Sequence, residues 1–251
     1  MTSQKETKAA YQIRNTKDEK QNLIKAFIIG ESGAGKTTLA RTLPGKTLII
    51  SCESGTLSLR GEDIDYVDLI RDSDDNIIKS AEARLKVLTT IYSSLANDKN
   101  PKYNNIFIDS VSEIAEIVLT ACQDSNPDPS DTFKVWGDYN KKLTKIIKAF
   151  RDLPQYHVYM TAITVWEKDD NHKMTLVFDI PGKIGKKMPQ YFDEVFYLFA
   201  DNKGERFLYT GKTDVIPGKD RSGKLGLKIE ADLSQVMLSI FKPIVKKEVK
   251  K

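Results

Sequence analysis

Lys25-Ala26-Phe27-Ile28-Ile29-Gly30-Glu31-Ser32-Gly33-Ala34-Gly35-Lys36-Thr37-Thr38 is the stretch that decides the architecture. Its opening residues form a short apolar run, the pattern of a strand buried on both faces. From Gly35 the pattern predicts a helix that ends near Leu43, ahead of Pro44. Residues 30–37 fit G-x-x-x-x-G-K-[ST], with the strand before and the helix after that this motif requires. The glycines let backbone N–H groups converge on phosphate oxygens, and the helix N-terminus adds partial positive charge. In such a loop Lys36 reaches the β- and γ-phosphates and the Thr37 hydroxyl ligates magnesium. Gly30, Glu31, Ser32, Gly33, Ala34, Gly35, Lys36, Thr37 and Thr38 are therefore the candidate nucleotide-binding residues, with ATP and Mg2+ as the expected ligands.

Outward from this loop, short apolar runs at residues 47–51, 65–69 and 105–109 predict further buried strands. Ile77, Ala81, Leu85, Leu88 and Ile91 recur at helical spacing and predict a helix over residues 76–95. A helix through Ile114, Ile117 and Val118, a polar loop at 124–131, and a helix over 135–151 lead to a strand at 156–162. Beyond residue 173 the pattern becomes strand-rich, with runs at 174–180, 194–200 and 206–210, before a short helix at 232–241. Strands alternating with helices predict an α/β fold, a mostly parallel sheet flanked by helices, with a strand-rich C-terminal part. Residues 1–22 lack apolar periodicity and read as a flexible N-terminal arm; 242–251 read as a basic C-terminal tail; 23–241 form the domain between them.

Composition narrows the class. The chain has 251 residues, 40% hydrophobic and 29% charged, enough for one cored domain with a well-solvated exterior. No apolar run is long enough to cross a bilayer and the N-terminal stretch is polar, so a cytoplasmic location without membrane partners is expected. Cys52 and Cys122 are too few for a zinc knuckle or disulfide framework and read as reduced, partly buried thiols. The net charge of +4 is mild. Its lysines gather at residues 183–187 and in the tail, where attraction to a polyanion competes with a plain solvated surface.

Asp109 closes the apolar run Ile106-Phe107-Ile108. A carboxylate there is expected beside the P-loop strand, holding magnesium through water, although an aspartate after a strand also serves as a helix cap, a task Ser110 could share. Hydrolysis needs a group that orients and deprotonates water. No glutamate follows Asp109 directly. Glu53 is the candidate, on the expectation that its strand neighbours the P-loop strand; on position alone, a solvated turn residue fits equally well.

The order of these features matters: P-loop, Cys52-Glu53-Ser54-Gly55, Ile106-Phe107-Ile108-Asp109-Ser110, then Phe150-Arg151-Asp152-Leu153-Pro154 before a strand ending Met160-Thr161-Ala162. It resembles the phage RecA-like P-loop ATPases of the Sak-type single-strand annealing and recombination group, over residues 25–233. The resemblance implies a RecA-like core, Glu53 as catalytic base, and Thr161 as γ-phosphate sensor, although Thr161-Ala162 replaces an amide pair. Lys219-Asp220-Arg221 is similar to a Lys-x-Arg finger that acts across a subunit interface; read alone it is a charged turn. The resemblance also implies two mobile loops that bind single-stranded DNA. By order these are residues 123–134, which are acidic, and 167–190, which carry Lys168, Lys173, Lys183, Lys186 and Lys187. Trp136, Trp166 and Tyr191 could stack bases, with core packing as the plainer reading.

The expected protein is thus an oligomeric ATPase, ring or filament, that binds single-stranded DNA and hydrolyses ATP under DNA stimulation. A single-strand-binding or replication protein is a conceivable partner, and a phage-encoded chain would work in the host cytoplasm. The alternative is a nucleotide-gated assembly or helicase-loader ATPase acting on a protein. A small-molecule kinase lacks support, since no Arg-rich lid motif is present.

Overall fold

In the computed structural model residue 15 and residues 23–242 are described, apart from 54, 129, 169–171 and 173. The arm at 1–22 therefore lies outside the described residues except for Asn15, as does the tail beyond Lys242.

The apolar run before the P-loop forms β1 (Lys25–Gly30), and all six of its residues are buried. It lies between two parallel neighbours, β5 (His157–Lys168) and β7 (Glu194–Ala200). Beyond β5 follow β4 (Asn105–Asp109), β2 (Thr47–Ser51) and β3 (Asp65–Asp68), all parallel. Beyond β7 the sheet turns antiparallel through β8 (Arg206–Tyr209) and β10 (Lys228–Glu230). The short strands β6 (Met174–Phe178) and β9 (Lys219–Asp220) pair with β5 and β7. This is a mixed α/β fold whose mostly parallel sheet is flanked by helices, as the alternation of patterns predicts.

Side chains alternate between the two faces because the strand period is two. Phe27, Ile29, Ile106, Ile108, Val158 and Met160 face one core with α2 (Ala81–Ala96), α3 (Val111–Asp124) and α4 (Thr132–Arg151). Ala26, Ile28, Phe107, Tyr159 and Phe196 face the other, under α1 (Lys36–Leu39) and α5 (Leu233–Phe241). Cys52 and Cys122 are buried free thiols. Among the described residues no helix is long and apolar enough to cross a membrane.

Several boundaries differ from the sequence reading, each for a local reason. The helix expected from residue 76 begins at Ala81: the Ser80 hydroxyl accepts from Ala83 N at 3.3 Å, while Ile77 is drawn into a bridge with Arg71. The helix expected at 135 starts at Thr132, because the Asp131 carboxylate accepts from Lys134 N at 3.0 Å. The strand expected to stop at Ala162 runs to Lys168, since Thr164, Val165 and Trp166 find partners in Phe178, Val177 and Leu176. Where it is described, the supposed mobile loop 167–190 holds the antiparallel pairing of β5 with β6 and then a 3-10 helix, Gly182–Tyr191, anchored by buried Ile184, Gly185 and Met188.

Candidate functional site

The P-loop leaves the carboxyl end of β1, where it has little room. A Cβ on Gly30 would stand 2.6 Å from the Leu198 carbonyl oxygen, so only glycine lets the loop pass β7. Gly35 has φ +99°, in the left-handed region, and a Cβ there would stand 2.6 Å from Arg206 Nε. The Lys36 side chain folds back into this loop, its Nζ donating to the Gly30 and Glu31 carbonyls at 2.9 Å each. Burial lowers the Lys36 pKa, and the nearby Asp109 and Glu53 carboxylates oppose that shift.

Asp109 gathers two hydroxyls. Thr37 Oγ1 donates to its Oδ2, and Thr161 Oγ1 donates to its Oδ1 at 2.5 Å. Glu53 lies just beyond β2, and its Oε1 accepts from Ser110 Oγ at 2.5 Å. Ser110 also caps α3, its Oγ accepting from Glu113 N at 3.4 Å. Lys36, Thr37, Glu53 and Asp109 line one pocket of about 270 Å³ together with Ser32 and Arg206. A larger cleft of about 820 Å³ adjoins it, sharing Gly35, Thr38 and Arg206.

The donor set suits a hard divalent cation: a threonine hydroxyl against a carboxylate oxygen, at the mouth of a phosphate-sized loop. Thr37 and Asp109 would hold magnesium, the remaining positions falling to phosphate and water.

Two placements correct the sequence reading. Asp109 does not ride on a strand beside β1, because β5 intervenes; Glu53 is farther still, with β5 and β4 between. Both nonetheless reach the pocket, since all these parallel strands end on the same edge. Thr161 lies on β5, next to β1, but its hydroxyl is committed to Asp109.

Other candidates stand apart. Lys219 and Arg221 lie at the opposite end of the sheet, where Val195 pairs with Lys219. Lys219 Nζ donates to the Phe192 carbonyl at 2.5 Å, and Arg221 Nη1 to Asp193 Oδ1 at 2.5 Å. Lys183, Lys186 and Lys187 are exposed on the 3-10 helix, while Lys173 lies outside the described residues. The tryptophans are not core residues: Trp136 is 40% and Trp166 41% exposed, and Trp166 Nε1 donates to Glu31 Oε1 at 2.5 Å. Tyr191 packs on the core with Lys148 Nζ 5.0 Å from its ring centre.

Sequence reasoning missed two residues. Ser110 stood in a quoted motif, but only its capping role was legible. Arg206 gave no signal at all; it reaches the P-loop from 172 residues away, donating through Nε to the Ala34 carbonyl at 3.1 Å.

Comparison with known proteins adds a family. A family model described as an AAA domain matches residues 22–222. No curated protein matches the chain. Among solved structures, an ATPase from the type III secretion system of pathogenic bacteria is similar, with 16% identity, a TM-score of 0.47, and coverage of 72% of this chain. The chain spans about half of that ATPase, 51% of its length.

Proposed function

The chain belongs to the AAA domain family of P-loop ATPases, and from that premise we propose that it hydrolyses MgATP with Glu53 as the general base. The observation that carries this reading is the convergence of Lys36, Thr37, Asp109 and Glu53 on one pocket at the carboxyl edge of the sheet.

In this reading the phosphate chain displaces the Lys36 amine from the Gly30 and Glu31 carbonyls, and the amine turns to the β- and γ-phosphates. Magnesium, when bound, neutralises charge on the β- and γ-oxygens. Thr161 keeps Asp109 oriented by occupying one carboxylate oxygen, which makes it a positioning residue rather than a direct sensor. Ser110 holds Glu53 in the same way. Glu53 orients a water and takes its proton as the oxygen attacks the γ-phosphorus. The bond from that phosphorus to the bridging oxygen breaks, and ADP and phosphate leave.

The finer reading is a DNA-binding recombination ATPase of the Sak-type group, assembled as a ring or filament. Its support is the ordered motif set, together with three exposed lysines, Lys183, Lys186 and Lys187, on an anchored 3-10 helix. With three residues per turn, Lys183 and Lys186 stack above one another and present a cationic edge that suits a phosphate backbone. The Lys219–Arg221 pair stands at the far end of the sheet from its own P-loop, so a phosphate contact by this pair would be made to a neighbouring subunit's nucleotide.

Turnover of ATP by the wild type and by Lys36→Ala, with and without single-stranded DNA, tests both levels. Turnover lost in Lys36→Ala supports the ATPase reading, and DNA stimulation of the wild type supports the finer one. Turnover indifferent to DNA but raised by a protein partner would replace the finer reading with a loader-type role. An Arg221→Ala protein mixed with a Lys36→Ala protein recovers activity if sites are shared in trans; no recovery at any ratio removes the finger role.

A further inference from the structure

Arg206 sits where the two nucleotide-side cavities meet. It begins β8, paired with Ala200 of β7, and its carbonyl accepts from Ala231 N at 3.2 Å, so its backbone is fixed on both sides. Its side chain crosses to the P-loop, where Nε donates to the Ala34 carbonyl at 3.1 Å and the guanidinium carbon lies 3.2 Å from the position of a Cβ on Gly35. It lines both the 270 Å³ pocket and the 820 Å³ cleft. Among the described residues no carboxylate pairs with it. The guanidinium is exposed beside the phosphate-binding loop and tethered by its Nε, and its terminal nitrogens, free of carboxylates, form a fork that matches two phosphate oxygens.

The charges in the larger cleft fix which part of a nucleotide belongs where. Glu62, Glu205, Glu230 and Asp232 line it against two arginines, Arg41 and Arg206, so away from Arg206 its balance is acidic and suits the hydroxyls and amines of a nucleoside better than phosphate. Glu62 is already paired with Arg41 at 2.9 Å, and Asp232 caps α5. Arg206 stands on the border between this acidic cleft and the P-loop, on the Gly35 and Thr38 side.

Resting on the proposed ATP site, we infer that Arg206 is a binding residue acting in the same subunit, clamping the α/β end of the phosphate chain where it leaves the P-loop for the acidic cleft. The β- and γ-end remains the task of Lys36, Asp109 and Glu53. Loss of the clamp therefore weakens ADP and ATP alike.

The test measures affinity of the full chain for MgADP and for a magnesium-bound, non-hydrolysable imido analogue of ATP, at low and high salt, together with KM and kcat for ATP. Arg206→Ala is expected to weaken both ligands by the same factor, about 10- to 100-fold for a lost charged contact. Its KM for ATP rises by a similar factor, and Arg206→Lys falls between. The salt dependence of affinity flattens in Arg206→Ala, a change that a merely structural residue would not produce. Circular dichroism checks folding, and Arg206→Gln serves if the alanine variant is unstable. Unchanged affinity for both ligands overturns the inference while leaving the ATP site standing. A loss confined to the ATP analogue, or to kcat, overturns the α/β placement. Failure of the wild type itself to bind either nucleotide overturns the site reading, and the clamp with it.

Discussion

Ser110 Oγ donates to Glu53 Oε1 at 2.5 Å, joining the residue after one strand to a residue beyond another, 57 positions apart. One hydroxyl thereby serves two ends: it caps α3 and it orients the carboxylate that faces the P-loop pocket. A base held by a neighbour need not be ordered at the moment of reaction, which is the physical content of preorganisation.

Separate consequences for rate and stability follow from that pairing. Glu53→Gln keeps the shape and the bond to Ser110 but cannot take a proton, so kcat falls by about 10²- to 10⁴-fold with nucleotide affinity retained. Ser110→Ala leaves the proposed base, Glu53, in place but loosely held, and kcat falls by less. It also removes the α3 cap, lowering stability by about 0.5–2 kcal/mol. Steady-state kinetics and thermal melts of the two single variants and the double variant check this. The double variant should turn over no more slowly than Glu53→Gln, because a base that cannot accept a proton gains nothing from orientation.

Two glycines of the P-loop are expected to respond differently to the same change. Gly30→Ala drives a methyl to 2.6 Å from a backbone oxygen of β7, an atom that cannot step aside alone. It should destabilise by about 1–3 kcal/mol, as overpacked sites do, and displace the loop enough to weaken nucleotide binding. Gly33→Ala meets no atom within 4 Å, and its burden is the left-handed φ of +78° alone, about 1–2 kcal/mol. Denaturant titration and nucleotide affinity separate the pair: Gly33→Ala should keep more binding than Gly30→Ala.

A buried carboxyl makes one contribution to the pH dependence of the fold. Glu194 is 3% exposed, and its pKa is pushed up to about 8 by burial first and by the adjacent Asp220 and Asp193. The folded state therefore holds this proton between about pH 4.5 and 8 when the unfolded chain has released it. Stability from this group is full below the unfolded value and is lost as pH rises through the folded one. Chemical denaturation at pH 6.5 and pH 8, above the range from about 4 to 6.5 in which buried His157 acts in the opposite sense, should show the loss, and Glu194→Gln, which cannot ionise, should flatten that part of the profile.

What was legible in the sequence was what is local. The P-loop, the strand ending at Asp109 and the alternation of strands and helices each show within about ten consecutive residues, and the sheet follows. What depends on strand order was not legible: the sequence does not say that β5 separates β1 from β4, so the routes by which Asp109 and Glu53 reach the pocket were misread. Arg206 lies beyond any local pattern, since only the antiparallel turn from β7 into β8 brings it over Ala34. The 3-10 helix at Gly182–Tyr191 was hidden because its glycines, lysines and internal proline carry loop composition, while Ile184 and Met188 supply the anchoring.

That helix bears the prediction that separates DNA binding from ATPase activity. Lys183, Lys186 and Lys187 are exposed, and the burial of Ile184 and Met188 keeps them on a fixed scaffold rather than a mobile loop. If they meet a single strand, each neutralised phosphate releases counterions, and the slope of log affinity against log salt carries about −0.7 per contact. Replacing all three by alanine should therefore reduce that slope by about 2 and remove DNA stimulation of turnover. DNA-free turnover should be unchanged, because none of the three lines the P-loop pocket. Stability should shift by no more than about 0.5 kcal/mol per site, as for ordinary surface positions. Fluorescence anisotropy of a labelled oligonucleotide across a salt series reads the slope directly, and an unaltered slope in the triple variant would move the DNA contact to another surface of the protein.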